Sequence, residues 1–138
     1  VPGGGDGTLA VYVAQSAATA TGPQVAAVQA YIDTVRPVTD SPTVTAATAV
    51  TVNVTATIYV LAASDSTANR ALATDAMSAY INGLDLGDAT VDVVKLGAAI
   101  YAAAGIRDVD VVIPAADVSI SAGQVAVVGT YTLTWTTV

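Results

Sequence analysis

The chain has no cysteine, no histidine and no glutamate among its 138 residues. Without cysteine it can form neither disulfides nor thiolate metal sites, and without histidine it lacks the commonest general base and metal ligand. Basic residues are also scarce, since four Lys and Arg stand against eleven acidic residues and give a formal net charge of −7. Four scattered cations cannot neutralise the phosphates of a nucleic acid, and anionic lipid would repel the surface. The composition therefore predicts partners with neutral or basic protein surfaces.

Long hydrophobic runs are absent as well. The longest, Leu96–Ile106, has 11 residues between Lys95 and Arg107, far fewer than the roughly 20 that span a bilayer. It predicts a buried helix. The Gly-rich start lacks the basic and apolar regions of a signal peptide. We therefore expect a flexible linker over residues 1–7, a single α+β domain over residues 8–138, and a chain that is a fragment of a longer protein.

Strands are predicted from β-branched residues and period-two alternation. A short run at Thr8–Ala14 is followed later by Thr43–Ala49 and by Val50–Val60, where apolar side chains alternate strictly with polar ones. Eleven residues of such alternation indicate a sheet with one buried and one polar face. The polar face of Val50–Val60 carries no charge, and it is either simply solvated or a flat surface that packs against another subunit.

Three helices are predicted. The first spans Pro23–Val35, starts with proline at its first position and ends before Pro37; its narrow apolar stripe is Val25, Val28, Ile32 and Val35. The second begins at the capping residues Ser64–Ser66 and stops at Asn82-Gly83; its apolar face is Leu72, Ala76, Met77, Tyr80 and Leu84. The third is capped by Asp92 and ends at Gly105; its apolar side is Val93, Leu96, Ile100 and Ala103 or Ala104.

The last third of the chain reads as strands at Arg107–Ile113 and Val125–Trp135, with Val118–Ser121 as a candidate short strand between them. In the final strand one face is predicted to hold Val125, Val127, Tyr131, Leu133 and Trp135. Gly129 interrupts that face and indicates a bulge or a close backbone approach. The order β-α-β-β-α-α-β-β predicts an α+β fold, with about three helices packed against a mixed or antiparallel sheet.

Acidic residues are the first candidates for chemistry. Asp108 and Asp110 share one side of a strand and could form a metal or acid/base pair, but without further ligands nearby we interpret them as solvated charges. Asp85, Asp88 and Asp92 lack the spacing and closing Glu of a calcium loop, so we interpret them as a capped helix–helix turn. We predict no catalytic, cofactor-binding or metal-ligating residue and no cofactor.

Other polar and aromatic residues have plain structural readings. No Ser or Thr has an evident base to activate it as a nucleophile. Asn53-Val54-Thr55 matches a glycosylation sequon, although it lies mid-strand. Trp135, the sole tryptophan, is either a core residue or an interface anchor.

Several stretches together resemble the C-terminal region of the baseplate J-like family. They are AVQAYIDTVRPVTDSPTVTAATAVTVNVTATIYV (Ala27–Val60), AYINGL (Ala79–Leu84), KLGAAIYAAAGIRDVDV (Lys95–Val111) and GQVAVVGTYTLTW (Gly123–Trp135). The most particular part lies within Leu84–Pro114, where a short helix ends in glycine and runs straight into an Arg-Asp-Val-Asp-Val strand. The family's larger N-terminal portion has no counterpart here.

The resemblance implies a structural wedge component of a contractile phage tail or phage-tail-like baseplate. Such a protein would be assembled in the bacterial cytoplasm and located in the virion tail baseplate. It would bind other wedge and hub proteins and copies of itself, with no nucleic acid, membrane insertion, small-molecule substrate or enzymatic activity. Two alternatives stay open from the residues themselves, namely an adhesin-type extracellular binding module of a surface protein and an enzyme with an enclosed pocket of converging carboxylates.

Overall fold

The computed structural model describes residues 9–16, 18–37, 40–87, 89–103 and 105–138. Eight strands and three α-helices follow one another: β1 (Ala10–Gln15), β2 (Ala18–Thr19), α1 (Gly22–Val35), β3 (Thr43–Ala46), β4 (Thr48–Val60), α2 (Thr67–Asn82), β5 (Ala89–Val91), α3 (Val93–Tyr101), β6 (Ile106–Ile113), β7 (Val118–Ile120) and β8 (Gln124–Thr137). A short 3-10 helix, Ala62–Ser64, precedes α2. The predicted α+β class is confirmed. The linker predicted for residues 1–7 lies outside the described residues.

The central sheet has the order β6-β4-β8, with β4 antiparallel to β6 and parallel to β8. Its middle strand is the segment whose alternation predicts a half-covered sheet. Val52, Val54, Ala56, Ile58 and Val60 are all buried. That prediction is confirmed.

Helices α2 and α3 cover one side of this sheet and supply most of the core. Helix α2 contacts α3 and β8, and α3 contacts β6. The buried cluster combines aliphatic residues of β4 with side chains from both helices and the short strands: Val52, Val54, Ile58, Ala73, Met77, Ile81, Val91, Leu96, Ile100, Ile106, Ile120 and Ala126. Burial of these side chains is the main force that holds the helices against the sheet.

Residues 9–47 form a smaller N-terminal unit. Its sheet has the order β2-β1-β3, with β1 parallel to β3, and α1 makes the crossover between them. The Gln24 side-chain oxygen caps α1 by accepting hydrogen bonds from the Thr21 N–H at 2.9 Å and the Thr21 hydroxyl at 3.0 Å. No residue of α1 is buried, so its predicted apolar stripe is only partly covered.

The helix boundaries are largely as predicted, but the apolar face of α2 and the end of α3 are not. Leu72 is 55% exposed, while Ala73 and Ile81 are buried, because α2 is rotated by about one residue relative to the predicted face. Helix α3 ends at Tyr101 rather than near Gly105. Gly105 has a φ of +81° and turns the chain into β6. Ala104, one of the two predicted alternatives on this helix face, lies outside the described residues.

The predicted face of the last strand is wrong in its first half. Ala126 and Val128 face the core there, whereas Leu133 and Trp135 face it in the second half. The register shifts between Val52 and Val54 of β4, so that two residues of β8 stand opposite one of β4. This bulge moves the alternation by one position. Val125 consequently lies on the opposite face, where it is still buried. In addition, strand β2 contacts both β4 and β8.

Two short strands, β2 and β5, were not predicted. They contain two and three residues, which is too few for alternation to be visible. The described strands also form three separate sheets, with β5 and β7 as an antiparallel pair, where the sequence predicts one. No helix among the described residues is both long and apolar enough to cross a membrane.

Candidate assembly surface

The side of the central sheet opposite α2 and α3 is a largely polar surface from Asn53 to Tyr59 of β4 and over the neighbouring residues of β6 and β8. We call this surface the outer face. Its rows follow from the strand register: Asp108, Tyr59 and Thr136 lie side by side, as do Asp110, Thr57 and Thr134, and Thr55 is next to Thr132. The threonines of β8 are exposed, and those of β4 are half-buried between their neighbours. Small β-branched side chains thus make up most of the outer face.

Asp108 and Asp110 carry the negative charge of the outer face. Both are exposed, and within the described ranges neither takes part in an ion pair. The Asp108 carboxylate accepts a hydrogen bond from the Val109 N–H at 2.9 Å. The two carboxylates are therefore available to a cation brought by a partner.

The predicted helix–helix turn places its aspartates in structural roles. Asp92 caps α3, accepting hydrogen bonds from the Val94 N–H at 2.9 Å and the Lys95 N–H at 3.1 Å, so the predicted cap is confirmed. Asp85 is exposed on the turn, and Asp88 lies outside the described residues. No group of three acidic side chains in the described part of the chain could hold a metal ion.

Two of the shallow apolar grooves in the described part of the chain have an acidic residue in their lining. One, of about 430 Å³, lies between α3 and β6 and has Asp108 as its acidic lining residue. The other, of about 520 Å³, lies in the N-terminal unit and contains Arg36 and Asp40. Neither of these two grooves brings two carboxylates together, so neither offers the acid/base pair that hydrolytic chemistry would need.

A hydrogen bond from the backbone of β8 to a side chain of β4 stabilises the bulge in β8. The Asn53 side-chain oxygen accepts a hydrogen bond from the Thr130 N–H at 3.0 Å. A Cβ at Gly129 would lie 2.3 Å from this oxygen and 2.5 Å from Thr51 Cγ2, so only glycine fits without rearrangement. The sequon asparagine is therefore a structural residue of the outer face, and the close approach predicted at Gly129 is confirmed.

Comparison with known families decides the identity. Residues 52–134 match the family described as Baseplate J-like protein C-terminal domain, which is more than half of the chain. The chain belongs to this family. Its members are structural components of phage tail baseplates, and the resemblance stated from the sequence is confirmed. A comparison with curated protein sequences gives no match.

The baseplate J-like match begins in β4 and ends in β8. It therefore contains α2, α3 and the part of the central sheet where the outer face is open. The N-terminal unit precedes it.

Arg70 and Trp135 mark one edge of this baseplate domain. The Arg70 guanidinium lies 5.1 Å from the centroid of the Trp135 ring, at a distance typical of cation–π contacts. It also donates two hydrogen bonds to the Asp65 carboxylate, at 2.7 and 2.8 Å. These hydrogen bonds lower the pKa of Asp65 and raise that of Arg70. Trp135 is half-buried and packs against the core, which fits the first of its two predicted roles.

Two supporting residues were missed from the sequence. The Gln29 side chain accepts a hydrogen bond from the Val44 N–H at 2.8 Å and donates to the Pro42 carbonyl at 3.1 Å, tying α1 to β3. The Tyr80 hydroxyl accepts from the Asp92 N–H at 3.0 Å, tying α2 to the start of α3. Both partnerships join residues 12 or more positions apart, and no local pattern reveals them.

Proposed function

We propose that the chain is a wedge component of a contractile phage tail or phage-tail-like baseplate, acting purely through protein–protein assembly. Its partners would be other wedge and hub proteins and further copies of itself. It would be assembled in the bacterial cytoplasm as one rigid domain, without nucleic acid, membrane insertion or catalysis. The family match supports the baseplate setting, and the outer face supports the mode of action.

The open outer face is the observation that carries this proposal. An uncharged array of Thr side chains can be covered by another subunit without removing many charges from water. The two carboxylates at its β6 side are the exception, because burying them unpaired would be costly. The partner surface should therefore be mostly neutral and should place Lys or Arg side chains over Asp108 and Asp110.

Co-elution with purified wedge proteins from the same particle tests the proposal. We expect a complex at micromolar concentration, and the double variant Asp108→Lys/Asp110→Lys should raise the Kd at least about tenfold, because like charges then face each other. Asp75→Lys is the control for placing a positive charge elsewhere on the surface, since Asp75 is exposed on α2, away from the outer face. Absence of a complex with every wedge protein would refute the assembly role, and equal Kd values for both variants would refute the outer face as the interface.

A further inference from the structure

The two edge strands of the central sheet are protected very differently. Strand β6 carries Arg107, Asp108 and Asp110 and is irregular at two places in its pairing with β4. Charges and bulges of this kind prevent edge strands from pairing with other chains. Strand β8 has no charged residue and no proline over Tyr131–Thr137, the part that follows its bulge, so this part of its edge lacks these protections.

The backbone of β8 presents a regular set of unpaired groups at that edge. The Val138 N–H donates to the Val60 carbonyl at 2.9 Å, and the Val138 carbonyl accepts from the Ala62 N–H at 3.4 Å, so both groups of Val138 point toward β4. Because backbone direction alternates along a strand, the N–H and C=O groups of Tyr131, Leu133, Trp135 and Thr137 point away from β4. Among the described residues no strand pairs with them.

The position of α2 determines what can occupy the edge. Helix α2 contacts β8, and Arg70 in its first turns lies over Trp135. A second copy that added its own β8 here, with its helices on the same side of the sheet, would bring its α2 next to the first α2, because α2 contacts β8 and neighbouring strands are only roughly 4.8 Å apart. Packed helices need about 8–10 Å between their axes. The edge therefore suits a strand that has no helix covering it.

We propose that the free edge of β8 binds an extended, uncharged segment of a partner baseplate protein as a fourth strand of the central sheet. This proposal rests on the proposed assembly function and names the chemistry of one partner. The segment would exchange backbone hydrogen bonds with the four outward-facing residues of β8. On the helix side it would carry apolar residues beside Tyr131, which is 48% exposed, and on the outer face small or β-branched polar residues beside the β8 threonines.

Amide hydrogen exchange gives a test with an internal control. The N–H groups of Thr132, Thr134 and Thr136 point toward β4 and should exchange slowly both in the free chain and in its complex with the co-eluting wedge protein. Those of Tyr131 and Leu133 should exchange quickly in the free chain and slow by about 100-fold or more in the complex. A complex in which they remain fast overturns this proposal and leaves the assembly role intact. Failure to form any complex overturns both.

A pair of tyrosine variants tests the same edge by affinity. Tyr131→Lys places a charge beside the edge of β8 where the partner strand would pair, and it should raise the Kd for the wedge protein roughly tenfold. Tyr31→Lys is the control, since Tyr31 is 69% exposed on α1, in the N-terminal unit and outside the central sheet. Circular dichroism of both variants establishes that they fold. Equal Kd values for the two folded variants would refute pairing at β8.

Discussion

The bulge where Asn53 faces Gly129 offers the sharpest test of the fold. In Gly129→Ala the new methyl group would lie 2.3 Å from the Asn53 side-chain oxygen and 2.5 Å from Thr51 Cγ2. Separations below 3.0 Å are essentially never seen for real Cβ atoms, so the Asn53 carboxamide must move away. Its hydrogen bond with the Thr130 N–H is then lost.

The magnitude follows from these two effects. Loss of the hydrogen bond costs about 0.5–1.5 kcal/mol, and the remaining overpacking against Thr51 and the β4 backbone costs about 1–3 kcal/mol. Gly129→Ala should therefore lower the free energy of unfolding by about 1.5–4.5 kcal/mol. Asn53→Ala alone should lower it by about 0.5–1.5 kcal/mol. In the double variant the hydrogen bond is lost only once, so the combined effect should fall short of the sum by about 1 kcal/mol.

Urea unfolding followed by fluorescence of Trp135, the sole tryptophan, measures all three free energies. Gly22→Ala is the control, because a Cβ at Gly22 meets no atom within 4 Å and the change should be neutral or slightly stabilising. If Gly129→Ala stayed within about 0.5 kcal/mol of the wild type, or if the two changes were strictly additive, the account of the bulge would be wrong.

Three further predictions concern the core, an ion pair and the N-terminal unit. Met77→Ala should lower the free energy of unfolding, measured in urea, by about 2–5 kcal/mol, because the side chain is fully buried. Leu72→Ala, on the exposed side of α2, should change it by less than about 0.5 kcal/mol. Similar losses of stability in the two variants would contradict the assignment of Met77 to the buried face of α2. Arg70 lowers the pKa of Asp65, so the pair contributes stability above the ordinary carboxyl pKa of 3.8 that is lost as pH falls further. Carbon-detected NMR titration should show the Asp65 pKa rising toward 3.8 in Arg70→Ala, and an unchanged titration would refute the coupling. Gln29→Ala removes the hydrogen bonds between α1 and β3 and should lower the local stability of the N-terminal unit by about 1–2 kcal/mol; undiminished hydrogen-exchange protection at the start of β3 would count against that role.

Much of the fold could be predicted because long elements repeat their pattern many times. The alternation in β4 covers eleven residues, and the caps of α2 and α3 are marked by Ser66 and Asp92. What failed depends on tertiary contacts. The face of α2 could not be told apart from one a residue away, because five alanines are spread around the helix. Gly129 indicates that the buried face of β8 could change along the strand. Which residues then face the core depends on the bulge that the Asn53 side chain supports, and Asn53 lies 77 residues from its partner Thr130.

The assembly surface was predictable only in part. The sequence shows a charge-free polar face on β4 and a pair of aspartates on β6, and it raises the possibility of a subunit interface. The lateral rows that bring Thr57 beside Asp110 and Thr134 depend on strand order and register. Neither property is visible in a single segment, because the pairing partners of β4 lie far away along the chain.

The parallel pairing of β4 with β8 has a consequence for how the protein folds during synthesis. The hydrogen bond between Asn53 and Thr130 spans 77 residues, so one flank of the middle strand has no native partner until the ribosome has made nearly all of the described chain. Contacts between such distant segments are slow to form, since a large loop must close first. Nascent chains stalled before Gln124 should accordingly remain protease-sensitive and prone to aggregate, even though the residues of both core helices have already been synthesised.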